Sequence, residues 1–188
     1  MSATASKGSR RSRLLAAATP LAERHALAEL TPAVVAEAAG LTLADFAAEF
    51  ETVGDYLAEV HHQYLEGILT RIVAEAGGMP PSLERILLAS TIQLDICLEQ
   101  HALRNLIAEA RRGVPRVAED LHKRNRGTAL MISIELKSIG CRQPMITARL
   151  YCMMVLEAAQ IESDAGVKVP EVREALRAFL ATWVAPAL

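Results

Sequence analysis

The stretch that most restricts what this chain can become runs from Thr31 to Phe50, TPAVVAEAAGLTLADFAAEF. Thr31 is suited to cap a helix, and Pro32 to open one at the position where its missing N–H costs nothing. Val34, Val35, Ala38 and Ala39 recur at helical spacing, and Gly40 falls where a helix end favours a left-handed residue. Thr42 then caps a second helix, and Asp45 three residues on completes a capping box. Phe46 and Phe50, four apart, give that helix an apolar edge. Cap, helix, glycine, cap, helix at this spacing predicts a helix-turn-helix, a unit whose second helix can lie in a DNA major groove.

The words AEAAGLTLADFAAEF and the DYL that follows resemble the N-terminal helix-turn-helix of TetR-type transcriptional regulators. The features that match are the apolar pair before the first alanine, Ala39-Gly40-Leu41, the capping Thr42, the apolar Phe46 and Phe50, and the apolar opening of the next helix. Length and the run of helices agree as well, so the resemblance covers nearly the whole chain. Two departures stand out. The second helix carries Leu43, Asp45, Ala47, Ala48 and Glu49 where such proteins usually have polar, basic or aromatic residues, and Val53 stands where they usually have a lysine. The resemblance implies a homodimer that binds operator DNA and responds to a small-molecule effector, with no cofactor.

Composition agrees with helices packed on helices. Apolar residues make up 52% of the chain while aromatics are only 4%, and alanine and leucine predominate over β-branched runs. The expected fold is therefore all-α, about nine helices, in 188 residues that can hold one sizeable core or a small module joined to a larger one. A net charge of −2 predicts by itself neither nucleic-acid nor membrane binding. Cys97, Cys141 and Cys152 are odd in number and have no CxxC spacing, which favours buried thiols in a reducing compartment. Charge interrupts every apolar run before it could span a bilayer, and the basic N-terminus lacks the apolar stretch of a signal peptide. The expected location is cytoplasmic.

Residues 1–13 hold Lys7, Arg10, Arg11 and Arg13 and no acid, and are expected to form a disordered basic arm, either a solvated tail or a segment that seeks DNA phosphates. Residues 14–60 are expected to form the helix-turn-helix domain. Its first helix should start near Pro20, after Thr19, because proline inside a helix costs about 3 kcal/mol. Residues 61–188 are expected to form a helical ligand-binding and dimerisation domain. Helices are predicted over about 53–76, 82–100, 101–112, 115–140, 144–164 and from Pro170 onward, each bounded by glycine or proline. In the fourth of these, Val117, Leu121, Leu130, Ile134 and Leu136 are expected to turn inward. Met145 to Ile161 leaves almost no polar face, and a helix apolar all round must be covered on all sides, which in a chain this small points to a partner subunit, with a central core helix as the alternative.

The expected DNA interface comprises Arg10, Arg11 and Arg13 of the arm, Thr31 and Thr42 at the helix N-termini, and Leu43, Ala44, Asp45, Ala47, Ala48 and Glu49 on the second helix. Its charge is unusual. Between Leu14 and Val60 the only strong base is Arg24, against Glu23, Glu29, Glu37, Asp45, Glu49, Glu51, Asp55 and Glu59. Phosphate contacts dominate ordinary DNA affinity, so an acidic module works against it. Two readings stand side by side: a DNA-binding regulator that draws its phosphate contacts from the arm and helix N-termini, and a protein of the same fold that acts as a co-regulator or ligand sensor through protein contacts.

For an effector cavity the candidates are Tyr64, Ile68, Leu94, Asp95, Cys97, Met131, Ile134, Tyr151 and Met154. Asp95 sits in an otherwise apolar stretch, and a buried carboxylate there needs a cation, either a ligand or an arginine such as Arg149. The resemblance places dimer contacts on the last two helices, at Leu150, Met153, Ile161, Leu176, Phe179, Leu180 and Trp183. Metal and catalytic signals are weak. His61 and His62 point about 100° apart on a helix and cannot share an ion, and no phosphate loop, nucleophile elbow or carboxylate pair is present, so neither an enzyme nor a metal site is expected. Arg111, Arg112, Arg116, Lys123, Arg124 and Arg126, interspersed with Glu109, Glu119 and Asp120, are expected to be a solvated helix face.

Overall fold

The computed structural model describes residues 10–184, apart from the side chains of 120–123, and is all-α there; the only extended pairing is an isolated bridge between Cys141 and Val184. In chain order the helices are α1 (residues 10–16), α2 (Ala18–Ala22), α3 (Pro32–Ala38), α4 (Leu43–Glu49), α5 (Val53–Ala76), α6 (Leu83–Glu99), α7 (His101–Gly113), α8 (Pro115–Ser138), α9 (Pro144–Ala165) and α10 (Pro170–Trp183). They fall into two compact units. One holds the chain up to Leu65 together with Gln100–Leu121, and the other holds Glu66–Glu99 together with the chain from His122.

In the first unit the local chemistry of 31–50 does what its residues predict. The Thr31 hydroxyl accepts the Val34 N–H, Pro32 opens α3, and Gly40 takes φ 63° to end it. At α4 the Asp45 N–H donates to the Thr42 hydroxyl at 3.2 Å while the Thr42 N–H donates to the Asp45 carboxylate at 3.0 Å, a reciprocal cap. A second box of the same kind, Thr52 with Asp55, opens α5. Phe46, Phe50 and Tyr56 form the unit's aromatic core, with centroids 5.5–6.1 Å apart. The Tyr56 hydroxyl donates to the Leu14 carbonyl at 3.1 Å, joining α5 to α1, and α7 packs on α2 and on a 3-10 turn at Leu27–Glu29.

Two expectations about the N-terminus are overturned here. Lys7 and the rest of residues 1–9 lie outside the described residues, but Arg10, Arg11 and Arg13 are on a helix, and Leu14 and Leu15 behind them are buried. Pro20 does not start the helix either. It is third in the short α2, within the first turn, where its N–H has no intrahelical partner to lose. The break falls at Ala17 instead, and the helix stops at Ala22.

In the second unit α6 packs against α9 and α10, burying Ile86, Leu87, Leu94, Ile96 and Cys97. The inner face of α9 is Ala148, Tyr151, Val155, Ala158 and Ala159; the Tyr151 hydroxyl donates to Ser90 at 2.7 Å, and Ser90 in turn donates to the Ile86 carbonyl. The outer face of α9 is open within the chain, with Met145, Ile146, Leu150, Met153 and Ile161 all exposed, so α9 is not a central core helix covered by its own chain on all sides. α8 departs from expectation. Val117 and Leu136 are buried, but Leu130 and Ile134 face outward at 51% and 63% exposure; the Leu121 side chain lies outside the described residues. Two apolar stripes share that helix, and only one of them meets the chain's own core.

Glu162, which the sequence reading passed over, is 1% exposed and is the charge around which α9 and α10 close. It accepts from Arg173 Nε and Nη2 at 2.7 and 2.8 Å and from the Val169 N–H at 3.0 Å. Asp95 on α6 completes the cluster, 2.7 Å from Arg173 and 2.8 Å from Lys168, so its cations are these two and not Arg149. Burial alone pushes both carboxyls up, but the Arg173 contacts, with the Val169 N–H for Glu162 and Lys168 for Asp95, outweigh it, and both end below their ordinary values of 4.5 and 3.8. A lowered carboxyl pKa stabilises the fold above the unfolded value and loses that contribution as pH falls through the folded one. Melting temperature should accordingly hold on approach from neutral pH and drop below about pH 4.5. Glu162→Ala, which leaves Arg173 with Asp95 alone, should cost about 2 kcal/mol by denaturant titration and flatten that acid limb.

Candidate nucleic-acid interface

The helix-turn-helix carries its counter-charges inside the unit. Arg10 Nη1 lies 3.7 Å from Asp45 and its Nε 3.9 Å from Glu49, both on α4. Arg11 pairs with Glu59 of α5 at 3.0 Å, and its guanidinium stacks 4.6 Å above the Phe50 ring. Arg13 donates to the carbonyls of Ala39 and Gly40, both at 2.8 Å, and so caps the C-terminal end of α3 from another helix. The turn needs glycine for its φ, while a Cβ there would meet only the end of the Arg13 side chain, at 3.0 Å. The three arginines expected to reach for phosphates are thus placed on carboxylates, an aromatic face and backbone carbonyls.

The two acids of α4 differ: Asp45 is held by its cap, while Glu49 meets the Arg10 guanidinium only at 3.9 Å and neither of its buried carboxylate oxygens accepts a hydrogen bond. The Thr42 hydroxyl and N–H hold the Asp45 carboxyl below its ordinary value, with Arg10 and Arg13 adding to the effect. Glu49, expected on the reading surface, has no exposed side-chain area, so it is not presented to base edges. Thr31 and Thr42 serve as caps. What faces solvent on α4 is Leu43, 56% exposed, together with Ala44, Ala47 and Ala48. The side chains of this face include no donor and no cation, and they can make only apolar contacts.

The effector candidates are divided between the two units. Ile68, Leu94, Cys97 and Tyr151 are buried in the second unit, Met154 is half-buried there, and Tyr64 is buried in the first unit. Burial pushes the Tyr151 phenol up to about 12 although Ser90 pulls the other way. Met131 and Ile134, at 64% and 63% exposure, line no interior. Asp95 is engaged by Lys168 and Arg173. Of the dimer candidates, Leu150, Met153 and Ile161 are exposed and Phe179 and Trp183 half-buried, but Leu176 and Leu180 pack into the chain's own core and are not open to a partner. Of the basic group, Arg116 pairs with Asp55 at 2.7 Å and Arg124 with Glu66 at 3.4 Å, while the Arg111 guanidinium is 3.2 Å from the buried His61; Lys123 lies outside the described side chains. Among the described residues no three His, Cys, Asp or Glu could hold a metal, no helix is long and apolar enough to cross a membrane, and all three cysteines are free.

No family model matches the chain, and no curated protein sequence does. Solved structures match it over nearly its full length. A transcriptional regulator from Rhodococcus sp. Rha1 superposes with a TM-score of 0.79 at 21% identity, covering 94% of this chain and 99% of that one. A TetR-family transcriptional regulator from Rhodococcus sp. gives 0.77 at 16% identity, with 95% and 100% covered. The reduced form of NemR from E. coli gives 0.70 at 16% identity, with 95% and 99% covered. From the capped helix pair at its N-terminal end to α10, the chain has the fold of the TetR-type transcriptional regulators.

Proposed function

We propose that the chain is a homodimeric transcriptional regulator that engages operator DNA through α3 and α4 and answers to a small-molecule effector taken up by its second unit. The observation that carries this reading is the doubly capped pair α3–α4 turning at Gly40, set within a fold shared over 94% of the chain with a transcriptional regulator. Two such pairs in a dimer must sit about 34–36 Å apart to enter successive major grooves, and an effector that alters this spacing would couple to DNA affinity. The outward residues Leu43, Ala44, Ala47 and Ala48 limit base contacts from α4 to apolar ones, as with thymine methyl groups.

One observation favours a second reading, a co-regulator or ligand sensor that works through protein contacts. Arg10, Arg11 and Arg13 are all held within the unit, and α4 presents no cation. The measurement that separates the two is binding of the purified protein to its own upstream DNA at low and at physiological salt. Saturable, sequence-dependent binding supports the regulator; no binding at low salt, from folded protein, supports the protein-contact reading.

The arginines give a sharper separation. If they leave their carboxylates to reach phosphates, R10A/R11A should weaken binding to every sequence and flatten the logarithmic salt slope by about 2. An unchanged slope accompanied by a lower melting temperature would assign them to bracing α4 alone.

A further inference from the structure

The outward face of α4 is built of methyl groups. Leu43 and Ala47, and beside them Ala44 and Ala48, stand four apart, so the four form one strip along the helix, and all are exposed. The polar side chains that border the strip are already engaged. The Thr42 hydroxyl accepts the Asp45 N–H and donates to Asp45 Oδ2 at 2.7 Å, and the same oxygen accepts the Thr42 N–H. Asp45 Oδ1 lies 3.7 Å from Arg10, and Glu49 has no exposed side-chain area. Side chains of this kind distinguish base pairs only by the apolar group that a base carries in the major groove. Thymine alone of the ordinary bases carries one, its C5 methyl. The O4 of thymine and the N4 amino group of cytosine are told apart by donors and acceptors, and this strip has neither.

We propose that α4 selects DNA by the C5 methyl groups of pyrimidines, with Leu43 as the principal contact, so that 5-methylcytosine counts as thymine and cytosine methylation shifts where the protein binds. The second helix of this motif meets base edges with its N-terminal residues. Leu43 is the first residue of α4 and its largest exposed side chain, at 56% exposure. Burying one methyl group is worth about fourfold in an equilibrium constant. In a dimer each contact recurs in the second half-site, so one methyl per half-site amounts to about sixteenfold. This inference rests on the DNA-binding reading above and adds what the strip recognises and how DNA methylation acts on it.

Fluorescence anisotropy of the full chain on its own upstream DNA tests it, with the DNA made in three forms: ordinary, with uracil replacing thymine, and with 5-methylcytosine replacing cytosine. An unrelated duplex of equal length is made in the same three forms, and circular dichroism confirms that the variant protein is folded. Ordinary upstream DNA is expected to bind saturably, and uracil to weaken it at least about tenfold. 5-Methylcytosine is expected to strengthen the unrelated duplex and to narrow its gap from the upstream DNA by at least about fourfold. Leu43→Ala is expected to weaken binding to ordinary DNA at least about fourfold and to shrink the uracil penalty to about threefold or less. No saturable binding of ordinary DNA at low salt, from folded protein, would overturn the DNA-binding reading together with this one and favour protein contacts. Saturable, sequence-dependent binding that is indifferent to uracil, or to 5-methylcytosine, would overturn methyl recognition and leave the DNA-binding reading standing. A uracil penalty of equal size in the native chain and in Leu43→Ala would do the same, since the effect would then belong to the duplex.

Discussion

The first unit depends on cations that α1 supplies to an acidic helix-turn-helix. Ion pairs at a surface contribute little, about 1 kcal/mol or less each, and a count of them would not explain why α1 docks. The Glu49 side chain changes that balance, because it has no exposed area and its nearest cation is Arg10 at 3.9 Å. Removing one partner of a buried charge costs far more than the pair itself contributes, so α1 is held by what its loss would leave behind. Arg13 works on a different debt, the unpaired carbonyls at the end of α3. The Tyr56 hydroxyl on the Leu14 carbonyl and the burial of Leu14 and Leu15 then fix α1 in place.

The second unit uses the same device with different partners. A carboxylate on α9, Glu162, is buried where α9 turns into α10, and one arginine on α10 satisfies it bidentately while also reaching Asp95 on α6. Three helices are therefore indexed to one guanidinium. Apolar burial along α6 and α9 supplies most of the stabilisation, since it scales with area and is indifferent to direction. The directional contacts select which of the apolar faces on α9 turns inward, and so which one is left open.

Most of the architecture was legible from local chemistry. Glycines, prolines and Ser/Thr/Asp caps mark the helices from α3 to α10 except at Gln100, where α6 passes into α7 without one, and those signals act over three or four residues, within reach of a reading along the chain. The errors share a physical cause, since each depended on contacts distant in sequence. α1 looked like a loose arm because its stabilising partners, Asp45, Glu59 and Tyr56, lie more than thirty residues away. Leu130 and Ile134 were read as core because periodicity identifies an apolar stripe but not whether the chain covers it. The candidate interface was legible in its caps and outward residues, while the occupation of its charges was not. Asp95 signalled correctly that it needed a cation, yet Arg173 is 78 residues on and no spacing rule points to it. Glu162 did leave a sign, a single acid between Ile161 and Ser163 at the end of an apolar helix, with Arg173 waiting beyond Pro170.

The closure of α3 by Arg13 bears on the order in which the unit assembles. The carbonyls it satisfies lie 26 and 27 residues further along the chain, so the turn at Gly40 is completed by a non-local contact. Closing such a loop costs entropy before any contact returns it, and non-local contacts of this sort slow folding. As the ribosome releases the chain, the capping residues of α3 and α4 emerge together with their partners three residues on, and the aromatic residue that anchors α1 emerges only with α5. The helix-turn-helix of this protein therefore matures as a single cooperative block with α1 and the start of α5, and a nascent chain arrested before Tyr56 has the motif's sequence without its brace.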